Sequence, residues 1–447
     1  MRYIPHTEAD VSAMLAAIGL RSVEDLVAHV PEALRATARV AVGAGLGESD
    51  VSARLAALAA QNRVGPNLLC FAGAGAYPHF IPAVVDHVIL RSEFATAYTP
   101  YQPEVSQGTL QATFEFQTLI AMLLGLDVAN ASLYDGSTAT AEAVLMAKRL
   151  MPKAERVLLA ASLPPEYRQV VRTYLEGLSG IECEEVPFGA DGRIDLAALE
   201  RSMTPAPAGV CVGYPNFFGV IEDVAAISGI VHAAGSLLVT VTPEAMSLGL
   251  LKPPGELGAD IAVGEGQSFG IPLSYGGPYL GLFATRDRFV RSMPGRLVGE
   301  TVDDEGRRGY VLTLATREQH IRRERATSNI CTNQGLCALA ATVFLSLAGR
   351  RGLRELADRN ARKARYMLER LRQELSAAAV FSAPFFNEVA VGLPNARRRH
   401  ERAIDRGVLA GVPLGNWYPE LDDALLVCAT EIHSTTDVDR LVDALAP

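Results

Sequence analysis

The 447-residue sequence predicts an α/β protein: a large domain built on a mostly parallel sheet covered on both faces, a smaller α+β domain after it, and a helical arm before it. Three observations predict this. From about residue 67 to 295, apolar runs of strand length alternate with helical segments, the pattern of βα units. Several of these runs, such as "RVLLAAS", "SLLVTVTP" and "ADIAVGE", are continuous rather than alternating, as expected of strands buried on both faces. After "TNQG" at 332–335 the pattern changes to a long charged helical stretch and then two strand candidates.

The elements follow in order. In the arm, 1–66, Thr7 is placed to cap a helix whose apolar residues Val11, Met14, Leu15 and Ile18 recur at helical spacing, and Gly19 ends it. Ser22 with Asp25 forms a capping-box pattern, and "SDVSARLAALAAQN" predicts a further helix. Helices this short need the main body or another chain to cover their apolar stripes. In the large domain, 67–331, the strand candidates are "NLLCFAG", "NASLYDG", "RVLLAAS", "GVCVGYPN", "SLLVTVTP", "ADIAVGE" and "YLGLFAT". Helical segments such as "STATAEAVLMAKRL", "LPPEYRQVVRTYLEG" and "DVAAISGIVHAAG" separate most of them. In the small domain, 332–447, the helical stretch runs from "LCALAATVFLSLAG" through "RELADRNARKARYMLERLRQEL". "NEVAVGL" and "ALLVCATEI" are its strands, and a last helix opens at Thr435 or Thr436. The chain has no internal repeat and no low-complexity linker.

Composition narrows the function. Apolar residues make up 49% of the chain, and the net charge of −9 argues against nucleic acid as the main partner. Cys70, Cys183, Cys211, Cys331, Cys337 and Cys428 are scattered without a C-x-x-C pair, so they read as reduced thiols rather than a disulfide framework or a metal site. The N-terminus turns acidic at once and lacks an apolar h-region, and the run around "CALAATVFLSLAG" is too short to span a bilayer. A soluble cytoplasmic protein without a signal peptide is the expectation.

Several stretches carry candidate chemistry. In "YDGSTATAEA" a strand ends, Gly136-Ser137-Thr138 turns, and a helix begins. Backbone N–H groups and two hydroxyls there suit an anion such as phosphate, and the same pattern serves a plain turn with Ser137 or Thr138 as the cap. "NLLCFAGAGAYPHF" lacks the G-x-G-x-x-G spacing and reads as a tight turn at Gly73 and Gly75. "YTPYQPEVSQG" sets Tyr98, Thr99, Tyr101 and Gln102 in a proline-stiffened loop that either lines a site or packs on the surface. "REQHIRRERATSNICTNQG" is an arginine-rich segment suited to clamping a carboxylate or to solvation, and "ARRRHER" reads as a solvated helix. No serine-nucleophile elbow, P-loop or metal-ligand helix is present.

Taken together, these segments resemble the fold-type-I family of pyridoxal-phosphate (PLP) enzymes. "YTPYQPEVSQG", "FQTLIAMLLGLDVANASLYDGSTATAEA", "LKPPGELGADIAVGEGQSFGIPLSYGGPYLG", "MPGRLVGETVD" and "REQHIRRERATSNICTNQ" are similar to the glycine decarboxylase P-protein family of the glycine cleavage system. The likeness is to its N-terminal half, which many bacteria make as a separate chain, subunit 1 or α. It covers essentially the whole chain, most weakly in the first sixty residues.

The resemblance implies a missing lysine. "GQSF" matches the stretch that carries the Schiff-base lysine in the catalytic half, so Gln267 replaces it. A primary amide forms no imine. The four lysines present, Lys148, Lys153, Lys252 and Lys363, all lie in other settings. The Asp expected against the pyridinium nitrogen is absent from Thr240–Pro243, with Glu244 the nearest acid. The resemblance therefore implies a chain that binds no PLP and pairs with a homologous β subunit that does. The complex would decarboxylate glycine and pass the aminomethyl group to the lipoyl arm of H-protein. Tyr98, Thr99, Tyr101 and Gln102 are the residues expected to reach the partner's site. The alternatives are an inactive scaffold or regulator with this fold, and a self-sufficient PLP decarboxylase or aminotransferase using another lysine.

Overall fold

The structure, a computed structural model, describes residues 5–38, 42–64, 68–96, 98–330 and 332–447. Pro66, Asn67 and Cys331, at which the expected domain boundaries fall, lie outside these. The chain divides into two compact units, Met1–Arg63 and Val64–Pro447.

The first unit holds α1 (Glu8–Ala17), α2 (Val23–Leu26), α3 (Glu32–Thr37) and α4 (Glu48–Ala59). Thr7 and Ser22 close capping boxes with Asp10 and Asp25, which satisfies the first orphan N–H groups of α1 and α2. Leu15 is buried, whereas α2, α3 and α4 bury no residue.

The second unit begins with β1 (Leu69–Cys70), α5 (Ala83–Ile89), α6 (Gln107–Leu124), β2 (Val128–Ala129) and α7 (Gly136–Leu150). The βα units follow: β3 (Arg156–Ala160), α8 (Pro165–Leu175), β4 (Glu182–Val186), α9 (Leu196–Ser202), β5 (Gly209–Gly213), α10 (Val224–Ala233) and β6 (Leu237–Thr242). Then come β7 (Ile261–Glu265), β8 (Gly281–Thr285), β9 (Leu297–Val302), β10 (Arg308–Thr313) and α11 (Gln319–Arg322). The last part holds α12 (Gly335–Leu375), β11 (Ala378–Ala379), β12 (Glu388–Gly392), α13 (Ala396–Asp405), β13 (Val408–Leu409), β14 (Val412–Pro413), β15 (Ala424–Cys428) and α14 (Thr435–Leu445).

Seven strands form the main sheet in the order β2-β8-β7-β6-β5-β3-β4. Strands β3 to β7 run parallel, and β8 is antiparallel to β7 and β2. Every residue of β5, β6, β7 and β8 is buried, which explains the continuous apolar runs. One core layer packs Val210, Val239 and Val263 against Val144, Val171 and Ile227. The other packs Ala262 and Leu282 against Phe116, Ile120, Phe269 and Phe344. A four-stranded antiparallel sheet, β11-β12-β15-β14, lies in the last part of the chain, within the same compact unit as the main sheet.

By length and composition α12 is apolar enough to cross a membrane. Its first half instead supplies Ala338, Ala341, Phe344 and Leu345 to the core.

Several elements differ from the sequence reading, among them β4, a charged edge strand that it did not include. The "NLLCFAG" strand is not in the main sheet: β1 pairs with β13, Leu69 beside Val408. "NASLYDG" forms only an isolated bridge, Leu133 to Gly281, because Asn130 turns its side chain onto Ser132 N and Pro294 O. A hairpin, β9 with β10, was unforeseen; its turn is held by Asp303, which accepts from Glu305 N and Arg307 N. As expected, α14 opens at Thr435; Ser434 caps it. The parallel strands β6 and β7 end beside the start of α7, and this edge positions the site.

Candidate functional site

At the carboxyl ends of parallel strands, side chains leave the sheet together and form a crevice. Here Glu265 ends β7 and Gln267 follows, while Glu244 follows β6. The segment from Gly73 to Phe80 crosses this edge. Its tight turn forms as read, with Gly75 at φ +104°. A Cβ on Gly73 would collide with Glu388 and Tyr77, so only glycine permits the close approach.

Gln267 is 2% exposed, and its amide is matched on both sides. Oε1 accepts from Tyr77 N at 2.8 Å; Nε2 donates to Tyr77 O at 3.1 Å and Ile271 O at 2.7 Å. An amide supplies one acceptor and two donors, and all are used; a lysine offers donors alone. Glu244 accepts from Ser268 Oγ at 2.6 Å and pairs with His79 Nε2 at 3.1 Å. The other nitrogen of His79 meets Glu431 at 2.8 Å. Burial pushes the His79 pKa down, but Glu244 and Glu431 outweigh it and hold it at about 10. For Glu431 burial acts upward, and His79 together with Phe80 N–H overrides it to about 2. His79 is therefore a buried imidazolium between two carboxylates. Glu388 accepts from Ala74 N and the Tyr77 hydroxyl, and burial pushes it up to about 8.

The start of α7 is closed in a similar way. The cap is Asp135, two or three residues earlier than the expected Ser137 or Thr138. It sits in extended backbone and accepts from Thr138 N at 2.7 Å. The hydroxyls of Ser137 and Thr138 both turn onto Asp135 Oδ1, at 2.9 and 2.7 Å. Gly136 N donates to Glu265 Oε2 at 2.9 Å.

These residues do not fit the aldehyde cofactor that the fold family implies. No amine stands at position 267, and Glu244 is already paired with His79. Thr240 and Thr242, which end β6, present hydroxyls without a hydrogen-bond partner rather than a carboxylate. The four lysines lie elsewhere: Lys148 on Pro152 O and Ala154 O, Lys252 near Glu256, Lys363 on Glu431 O and His433 O, and Lys153 exposed.

A second cluster joins two stretches distant in sequence. Tyr101 is 43% exposed and its hydroxyl accepts from Arg296 Nη2 at 2.7 Å and donates to Glu318 at 3.3 Å. Arg296 also bonds Glu318 at 3.2 Å, and the His320 ring meets Tyr101 edge-on at 5.8 Å. Tyr98 is 77% exposed beside it, Thr99 is buried, and Gln102 is exposed. Gln107 anchors the loop by bonding both N and O of Tyr310. The proline loop and the arginine segment thus form one face with a fixed tyrosine hydroxyl. A crevice beside it is lined by Phe94, Tyr98, Pro100, Arg296 and Asn333. Within the arginine segment, Arg317 caps the carbonyls of Val290, Met293 and Gly295 instead of facing outward, while Arg322, Arg323 and Arg325 are exposed. "ARRRHER" is not simply solvated either: Arg399 and Arg402 bind Leu445 O and Ala446 O at the end of α14, where unpaired carbonyls favour cations. Arg296, Glu265 and His79 escaped sequence reading; an acid closing an apolar strand was the one available signal, at Glu265.

Residues 1–445 match the family model described as glycine cleavage system P-protein. A relative from Anaeromyxobacter dehalogenans, "Probable glycine dehydrogenase (decarboxylating) subunit 1", is 53% identical over 97% of both chains. One of the same description from Phenylobacterium zucineum is 53% identical over 100% of both. A crystal structure of glycine decarboxylase (P-protein) of the glycine cleavage system, in inhibitor-bound form, is 44% identical with a TM-score of 0.91, covering 100% of this chain and 99% of that one. Mouse CSAD in apo form, 15% identical with a TM-score of 0.69 over 93% and 91% of the two chains, shares the fold.

Proposed function

Because this chain belongs to the glycine cleavage system P-protein family, we propose that it is the α subunit of a two-chain glycine dehydrogenase (aminomethyl-transferring) and holds no cofactor of its own. A homologous β subunit supplies the lysine and the PLP. The complex decarboxylates glycine and hands the aminomethyl group to the lipoyl arm of H-protein. The observation that carries the reading is Gln267, a fully hydrogen-bonded amide where an amine is required. A self-sufficient decarboxylase or aminotransferase needs a lysine at the sheet edge, and each lysine lies elsewhere. The isolated chain incubated with PLP is expected to show neither Schiff-base absorbance nor a borohydride-trapped adduct. A stoichiometric adduct on any lysine overturns the reading.

The role proposed for this chain is to complete the partner's site with the face around Tyr101. Its hydroxyl is fixed by Arg296 and Glu318 while its ring stays accessible. Tyr98, Thr99 and Gln102 flank it, and Tyr98 is the other candidate to reach across. Tyr101→Phe, or Tyr98→Phe, leaves the αβ complex assembled and coloured. For the tyrosine that reaches across, glycine–bicarbonate exchange falls about 10-fold or more, as for one positioned polar group. Normal exchange in both variants, at matched cofactor content, removes the loop from the site.

A further inference from the structure

Tyr101 comes from the proline loop, Arg296 from the segment just before β9, and Glu318 from the arginine segment. Their meeting orients one hydroxyl. Arg296 Nη2 donates to the Tyr101 oxygen at 2.7 Å, and the hydroxyl donates to Glu318 Oε2 at 3.3 Å. A guanidinium only donates and a carboxylate only accepts, so neither bond can reverse its direction. Burial, aided by Glu318, holds the Tyr101 pKa above its ordinary value against the pull of Arg296, so the proton stays on the oxygen at neutral pH. The hydroxyl's single donor is thus spent on Glu318, and Arg296 takes one of its two acceptor positions. What remains on the oxygen is an acceptor position.

Arg296 is poorly placed to clamp a free anion itself. Its side chain is 6% exposed, and Nε and Nη2 both lie 3.2 Å from Glu318 Oε2, which meets its charge. The support is rigid. Arg296 O accepts from Ala131 N at 2.9 Å, and Asn130 Nδ2 donates to Pro294 O at 3.0 Å. The guanidinium carbon stands 5.3 Å from the centre of the Tyr101 ring, and His320 meets that ring edge-on.

We propose that Arg296 and Glu318 are positioning residues that act through Tyr101, fixing its hydroxyl so that it offers the partner's site a hydrogen-bond acceptor for the amino group of the substrate. The proposal deepens the functional reading and rests on Tyr101 being the tyrosine that reaches across. A loosely held hydroxyl rotates and serves an N–H or a carboxylate oxygen equally. This one is set to meet an N–H, so it selects the amine end of an amino acid over its carboxylate end.

Two measurements on the assembled αβ complex, at matched cofactor content, test it. The first is a double-mutant cycle on glycine–bicarbonate exchange. Tyr101→Phe and Arg296→Met are each expected to lower exchange about 10-fold, and the double variant no further than either. A double variant that falls by the product, about 100-fold, makes Arg296 independent of Tyr101 and overturns the proposal. Normal exchange in Arg296→Met beside a slowed Tyr101→Phe does the same. Should Arg296→Met fail to assemble, Arg296→Met combined with Glu318→Gln removes both charges and is expected to show the same coupling to Tyr101→Phe. The second measurement sets inhibition by methylamine, an amine without a carboxylate, against acetate, a carboxylate without an amine. Tyr101→Phe and Arg296→Met are each expected to weaken methylamine inhibition about 10-fold and to leave acetate inhibition within about two-fold. Loss of acetate inhibition in Arg296→Met overturns the proposal, as does methylamine inhibition that is absent or indifferent to Tyr101→Phe. Normal exchange in Tyr101→Phe instead removes the reading beneath the proposal, and the proposal with it, so the two failures are distinguishable.

Discussion

His79→Ala is expected to destabilise the folded chain by about 3–5 kcal/mol, the cost of leaving buried charges without their partner. Glu244 and Glu431 then face each other across the gap, both nearly out of solvent, with no cation between them. The expected result is a melting temperature lower by roughly 4–6 °C. The pH dependence identifies the cause. The folded pKa of His79, about 10, lies above its ordinary 6.5. Its contribution is therefore complete below pH 6.5 and lost as pH rises through 10. Glu265 and Glu388, raised by burial from 4.5 to about 8, act in the same sense over that lower window. Glu431, held at about 2, opposes them as pH falls below 4.5. The unaltered chain should thus lose stability steadily from pH 6 to 10, and His79→Ala should flatten the upper part of that slope. A variant that melts with the same slope would remove the imidazolium from the account.

Gln267→Lys is expected to fail twice. The ammonium would be buried where the amide was 2% exposed, and Tyr77 N–H would lose its acceptor. A buried unpaired charge and an orphaned donor together cost about 3–5 kcal/mol. Restored lysine also finds no acid for a pyridinium nitrogen, since Glu244 is tied to His79 and Ser268. Groups that act as a unit give little when one is restored. Denaturant unfolding should show the loss, and glycine–bicarbonate exchange in the isolated variant should stay at background. Substantial exchange from this one substitution would show that the rest of the site is intact.

The central strands of the main sheet were legible because burial on both faces writes itself into a strand as a continuous apolar run, as in "SLLVTVTP" and "ADIAVGE"; the edge strand β4, half exposed and rich in glutamate, was not. Helix starts were legible where the cap and its target are three residues apart, as with Thr7 and Asp10. Asp135 was passed over because Ser137 and Thr138 are equally good caps by composition, and only backbone conformation separates them. β1 looked like a sheet strand because two residues facing Val408 and Leu409 have no local signature of their partner. The site was half legible. Gln267 was singled out through the resemblance of "GQSF" to a lysine-bearing stretch, not through composition or spacing. The groups that fill the pocket were not, because His79 meets Glu244 165 residues away and Glu431 352 residues away, and no spacing rule reaches that far. Tyr101 was visible in a stiff polar loop, yet Arg296 and Glu318, which fix its hydroxyl, come from segments about 200 residues on.

The central claim is that a chain without a cofactor completes a site on its partner. Titrating this subunit into a fixed amount of PLP-loaded β subunit, with glycine–bicarbonate exchange as the readout and borohydride trapping on the same samples, tests it most directly. The account predicts negligible exchange from either chain alone. It predicts a rise that saturates at one α per β, with one trapped cofactor per pair, on the β chain. Full exchange from β alone, or a trapped cofactor on this chain, would contradict it.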